Sequence, residues 1–306
     1  MEEKIIVDRL PVRTWNRLQV NEAYAPWDTF AERDLGTEYY SGADTALVRL
    51  NLAGEGSYSR KSIVLDAPEN TSVTLIELYE DAQALAVNTQ LNIGSNASVR
   101  LVQVQLGGGL LRTAVTGTCA AGGSLEVLQV FPGPGDIYSD CRVTLRGDGS
   151  RFEADIGYLG QGEQTVDLNL AVEHFGQKTE SRIRADGALK DSAQKIFRGT
   201  IDFKTGSAGS VGNEQETVLM LGDNAANKTV PLILCAEENV EGNHGATIGE
   251  LDADTLFYFE SRGFDRATAE NMLARAAIES LARKIGDPET AKRILQAIGG
   301  EDDGTV

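Results

Sequence analysis

Two histidines and three cysteines occur in 306 residues, and one of each falls close together: Cys235 and His244, nine positions apart. Imidazole is a fair ligand for borderline metals, and thiolate is better still for iron. The carboxylates Glu216, Glu238 and Glu241 lie in the same part of the chain. Asn243 and Gly245 flank His244 and suit an exposed turn, so these residues alone describe a hydrogen-bonded turn imidazole. His174, in Val172-Glu-His-Phe-Gly176, keeps step with a strand and reads as structural. Cys119 and Cys141 read as small core residues, whereas Cys235 ends the apolar run that begins at Val230. No phosphate-binding loop, nucleophile elbow, paired-histidine metalloprotease motif or dinucleotide fingerprint is present.

Composition narrows the partners. A net charge of −18 argues against nucleic acid and anionic membranes, which require clustered cations. At 41% hydrophobic residues the chain can bury a sizeable core, yet no run approaches the ~18 apolar residues of a membrane span. Three widely spaced cysteines make neither a disulfide framework nor a closed zinc site. The acidic start, Met1-Glu-Glu-Lys4, is unlike a signal peptide, and the expected location is cytoplasmic.

The elements that would position these groups are short strands. Ser72-Val-Thr-Leu-Ile-Glu-Leu78, Ser98-Val-Arg-Leu-Val-Gln-Val104 and Ser124-Leu-Glu-Val-Leu-Gln-Val130 repeat every 26 residues, and the pattern slips by one near Ser150. A fixed period with two strands per unit predicts a solenoid in which each coil covers the next, whereas a β-sandwich has no reason to keep one. Glycine-rich corners such as Gly107–Gly109 and Gly122–Gly123 fit that reading. The expected fold is therefore an all-β core, a parallel β-helix over residues 46–245. An irregular arm, residues 1–45, is expected to bury Trp15 and Trp27. Past a joint at Glu241–Gly263 the hydrophobic period becomes helical. Asp252, Asp265 and Asp287-Pro288 are N-cap signals for three helices in a C-terminal subdomain, residues 246–306.

That joint resembles the signature of the SufB/SufD family, scaffold proteins of SUF iron–sulfur cluster assembly. The matching residues are His244-Gly-Ala-Thr247 and Leu256-Phe-Tyr-Phe-Glu-Ser-Arg-Gly263, with His174-Phe-Gly176, Thr179-Glu-Ser181, Phe197-Arg-Gly199, Leu219-Met-Leu-Gly-Asp223 and Leu10-Pro-Val-Arg-Thr-Trp15 upstream. The resemblance implies a right-handed β-helix and a non-enzymatic subunit. Such a subunit pairs through its β-helix with a SufB-type subunit or as a homodimer. Its helical subdomain docks a SufC-type ABC ATPase, with Leu256, Phe257, Tyr258, Ser261, Arg262 and Gly263 as docking candidates.

His244 is the family site residue retained. Glu216 stands where SufB members carry cysteine, Gly245 is the SufD form, and Gly242 replaces a cysteine of many SufD members. Cys235 matches a cysteine of some SufB sequences. The cluster or metal candidates are thus His244, Cys235, Glu216 and Glu241. Any iron–sulfur cluster is expected to be transient and shared with a partner, not held by this chain alone. The alternative is a β-helix carbohydrate-active enzyme, a polysaccharide lyase or hydrolase. Such enzymes usually act outside the cell and need paired carboxylates on one coil face; an aromatic content of 6% is low for sugar stacking.

Overall fold

The computed structural model describes residues 4–14, 16–80 and 82–299. A short hairpin pairs β1 (Lys4–Val7) with β2 (Ala23–Pro26). The chain then winds back and forth between two sheets. Sheet I holds β3 (Glu32–Ser41), β5 (Tyr58–Ala67), β7 (Ala84–Ile93), β9 (Leu110–Cys119), β11 (Ile137–Leu145), β13 (Thr165–His174), β15 (Gln194–Phe203) and β17 (Ala226–Cys235). Sheet II holds β4 (Leu47–Leu52), β6 (Ser72–Tyr79), β8 (Ser98–Gln105), β10 (Ser124–Phe131), β12 (Arg151–Gly160), β14 (Glu180–Leu189), β16 (Ser210–Met220) and β18 (Val240–Glu250). Neighbouring strands within each sheet run parallel, as a solenoid requires and a sandwich does not.

The 26-residue period is the register itself. Ser72 faces Ser98 and Ser98 faces Ser124, with the Ser98 hydroxyl donating to Ser72 at 2.9 Å. Ser124 then faces Arg151, Arg151 faces Glu180, and Glu180 faces Val211. Coils therefore lengthen after β10, which is why the repeat fades near Ser150. Ser150 is a corner residue whose hydroxyl donates to the Gly147 carbonyl at 2.7 Å.

Inside the coils, apolar rows from both sheets form one core from Val48 to Val218. One row is polar. Gln129 donates to Gln103 and Gln103 to Glu77, each at 2.8 Å, while Thr89 and Tyr79 also donate to Glu77. The side chains between them, Ile76, Val102 and Leu128, point outward instead and lie under the helices.

The helices begin where their caps predict. Asp252, Asp265 and Asp287 accept from the amides of Thr255, Thr268 and Thr290 at the starts of α1 (Ala253–Ser261), α2 (Arg266–Lys284) and α3 (Pro288–Ala297). Helices α2 and α3 bury Ile278, Leu281, Ile285 and Ile294 against the outer face of sheet II. The approach is close: a Cβ on Gly157 would come within 2.7 Å of the Leu281 Cδ1.

Three expectations are corrected. Solenoid pairing starts at Glu32, so β3 belongs to the solenoid and not to an irregular arm, and the arm itself carries the β1–β2 hairpin. The solenoid runs to Glu250, past the expected boundary at 245. Residues 243–245 are strand and not turn, because they pair with Asn213, Glu214 and Gln215. Trp27 is buried against Ala84 and Ala86 as expected, while Trp15 lies outside the described residues.

Ile278→Ala removes the side chain that seals α2 onto the sheet. It should lower unfolding free energy by about 2–5 kcal/mol in urea titration, with the solenoid's β signal retained. A loss below ~0.5 kcal/mol would contradict this account of helix docking.

Candidate functional site

The last rung of the solenoid, β17 with β18, has no further strand of the chain beneath it among the described residues. Its inward positions therefore line an open mouth. Strand alternation places His244, Ala246 and Ile248 of β18 there, with Asn227, Thr229 and Ile233 of β17 opposite. Gly242 is the tight point, since a Cβ there would meet Ile233 and Phe203 at 3.0–3.1 Å. His244 is exposed near the middle of β18.

Directly above His244 in register is Glu214, about 4.8 Å away along the ladder. Its carboxyl rests on Gly199, where a Cβ would lie 2.0 Å from Oε2, so only glycine leaves it room. Burial pushes Glu214 up to about 7, against the pull of nearby Lys195. Glu216, two residues on, is fully buried and ion-paired with Lys195, which also donates to Asn227 at 2.9 Å. Thr229 donates to the other Glu216 oxygen at 2.6 Å. Desolvation drives Lys195 well below its ordinary pKa. The mouth is thus floored by a buried Lys–Glu–Glu group with the imidazole at its rim.

The four candidate ligands do not converge. Glu216 is inside but engaged by Lys195 and Thr229. Glu241 falls on the opposite face of β18 from His244 and accepts from Asn243 at 3.0 Å. Cys235 lies at the corner ending β17, its thiol donating to the Glu237 carbonyl at 3.0 Å. Among the described residues, no three His, Cys, Asp or Glu side chains are grouped to hold a metal. Glu238 lies in the connection between β17 and β18.

His174 and two cysteines are structural, as expected. The His174 ring nitrogens meet Thr179 and Ser181 hydroxyls at 2.7 and 2.9 Å, and burial lowers its pKa to about 4. Cys119 and Cys141 are buried in the core, with the Cys119 thiol pushed up to about 12.

Sequence reading missed Lys195 and Glu214. The signal was available, because Lys195 is in phase with the inward residues Phe197, Ile201 and Phe203.

The docking candidates share α1, which buries none of its residues. Phe257 and Tyr258 are 70% and 52% exposed, and Arg262 lies 4.3 Å over the Tyr258 ring. Ser261 donates to the Tyr258 carbonyl at 2.8 Å, and Gly263 takes a φ of +88° to end the helix. Leu256 is half-buried.

Because the folded pKa of Glu214 is raised, its contribution is fully present below the ordinary carboxylate pKa and is lost as pH rises to about 7. Stability should fall by about 3 kcal/mol across that interval, and Glu214→Gln should flatten the profile. Parallel profiles for parent and variant would refute this assignment.

The SUF system FeS cluster assembly, SufBD core domain model matches residues 49–277. The chain is 28% identical over 245 residues to the iron-sulfur cluster assembly protein SufD of Bacillus subtilis, covering 77% of this chain and 56% of that protein. It is 26% identical over 273 residues to the SufBD family protein ABCI8, chloroplastic, of Arabidopsis thaliana, covering 84% and 48%. A SufBD family protein of Mycobacterium bovis is 27% identical over 267 residues, covering 84% and 60%. The chain thus spans about half the length of the curated relatives it matches. The core match takes in the solenoid from β4 onward and runs into α2, and on that extent the chain belongs to the SufBD family.

Proposed function

We propose that this chain is a non-enzymatic scaffold subunit of SUF iron–sulfur cluster assembly. It pairs through the last rung of its solenoid with a SufB-type subunit or a second copy, and docks a SufC-type ABC ATPase through α1. The observation that carries the reading is the free edge of β18, regular over eleven residues with His244 near its centre. An unpaired edge of that length is a ready template for another strand.

The two ends of the solenoid differ in a way that supports this choice. At the first rung, β3 is broken by a bulge between Asp34 and Thr37 and crowded with Glu32, Arg33, Asp34 and Glu38. Bulges and charges are the usual means of blunting an edge. On β18 the only ionisable side chains besides His244 are Glu241 and Glu250.

The nascent cluster is the cargo of such a complex. The ligand candidates of this chain lie apart, so His244 supplies one ligand and the paired subunit supplies others across the joined mouths. Phe257 and Tyr258, exposed on a helix without core contacts, give the ATPase an aromatic anchor.

Three outcomes test the reading. Ile248→Lys puts a charge at a position 55% exposed on the pairing edge and should remove the mass of the paired scaffold subunit from the reconstituted complex in light scattering. Phe257→Asp should weaken ATPase capture about 30-fold or more with folding unchanged, consistent with losing a ~2 kcal/mol anchor. His244→Ala should lower iron and sulfide content after anaerobic reconstitution of the whole complex. Equal iron and sulfide in parent and variant would remove His244 from the cluster.

A further inference from the structure

Residues 4–14 and 16–27 lie across the outer face of sheet I, held by an arrangement that the scaffold reading does not use. Trp27 covers Ala84 and Ala86 beneath the Arg112 guanidinium, 4.6 Å from the indole ring. Leu10 and Val20 cover Val230 and half-buried Leu232 on β17. Three solenoid cations hold main-chain carbonyls of the segment. Arg198 Nε donates to Val20 at 2.5 Å, Arg142 Nη2 to Arg9 at 2.8 Å, and Lys228 Nζ to Leu18 at 3.2 Å.

Between these ties, Asp8 is driven into the face of the sheet. It is 4% exposed and takes a left-handed φ of +54°, a conformation that most side chains resist. Asp8 Oδ2 is wholly buried and has no donor. Its neighbours are chiefly acidic: Asp167 on β13 and Asp140 on β11. Asp140 is already taken by Arg142 Nε at 3.0 Å and Asn169 Nδ2 at 2.8 Å. Arg198 on β15 meets Asp167 through Nη1 and the Val20 carbonyl through Nε, while its buried Nη2 finds no acceptor in the closed arrangement. Arg112 on β9 also feels the Asp8 charge, and Tyr138 on β11 faces Asp8 and Asp167. On the segment itself, Arg9 pairs outward with Glu22 at 3.3 Å. A buried carboxyl with an oxygen that no donor reaches cannot ionise without large cost, so Asp8 keeps its proton while the segment is in place.

We propose that residues 4–14 and 16–27 form a strap, closed on the solenoid while the buried Asp8 carboxyl keeps its proton and lifted when that proton is lost. Lifting bares Val230 and Leu232 on the last strand of sheet I. The proposal concerns the isolated chain and stands whether or not the last rung pairs with another subunit.

The sign follows from proton linkage. Burial and the neighbouring carboxylates raise Asp8 well above its ordinary value when the strap is closed. The closed form therefore binds more protons than the open one. It is fully held below the ordinary aspartate range and is lost as pH rises through the raised pKa.

Hydrogen exchange of the full chain across pH 5–9, corrected for intrinsic rates, tests this. Protection of amides in residues 4–10 and 20–26 should fall about tenfold per pH unit once above the midpoint, while β9 and β11 stay unchanged. Asp8→Asn keeps a hydrogen-bonding side chain tolerated at positive φ and has no proton to lose, so its profile should be flat. Asp8→Ser removes the carboxyl altogether and should also be flat. Protection of the strap that does not vary with pH in the parent would overturn the proposal. So would a parent-like slope in either variant.

Discussion

Each coil of this molecule completes the main-chain hydrogen bonding of the coil before it, and among the described residues the last coil has no successor. Buried amides and carbonyls must find partners, and in a solenoid they find them only along the stack. Everything else accommodates that constraint. Turns with left-handed backbone, at Asn70, Asn96 and Gly122 for instance, return the chain to register. The helices cover one outer face of the stack, and the amino-terminal segment covers the other. Neither caps the free edge of β18, so the unsatisfied end is a property of the topology and not of one residue.

The position of His244 follows from the same rule. A residue in mid-strand on a terminal rung is fixed in height and direction by the ladder above it, while its open side faces whatever comes next. The imidazole is thus held by pairing to Glu214's strand, over a floor of Lys195, Glu214 and Glu216. Cys235 pairs with Phe203 but is the last residue of its strand, and its thiol turns to the Glu237 carbonyl of the connection that follows. That difference separates two residues that look equivalent when only their spacing of nine is considered.

The sequence exposed the parts of the fold that depend on local chemistry or strict repetition. The three helix caps and the 26-residue period appear in the structure because aspartate capping and strand register are both short-range rules. It concealed what depends on direction. Glu77, Gln103 and Gln129 look like the solvent face of an alternating strand, yet they point inward as a hydrogen-bonded ladder while Ile76, Val102 and Leu128 point out. A strand covered on both faces loses the contrast that alternation relies on. His244 misled for a related reason: Asn243 and Gly245 are turn-formers by propensity, but pairing with β16 overrides propensity. Asp8 gave no signal, because burial against strands far along the chain leaves no local trace.

The lengthening of successive coils has a geometric result. Sheet II strands grow from eight residues in β6, β8 and β10 to ten in β12 and β14 and eleven in β16 and β18. At ~3.3 Å per residue sheet II widens by about 10 Å from β6 to the rim, while the strands of sheet I hold at nine or ten residues. A short strand can cover only part of the eleven-residue edge of β18, whereas one of equal length seats along the whole of it. On the pairing proposed above, the length of β18 sets how much of a mate's strand can be seated.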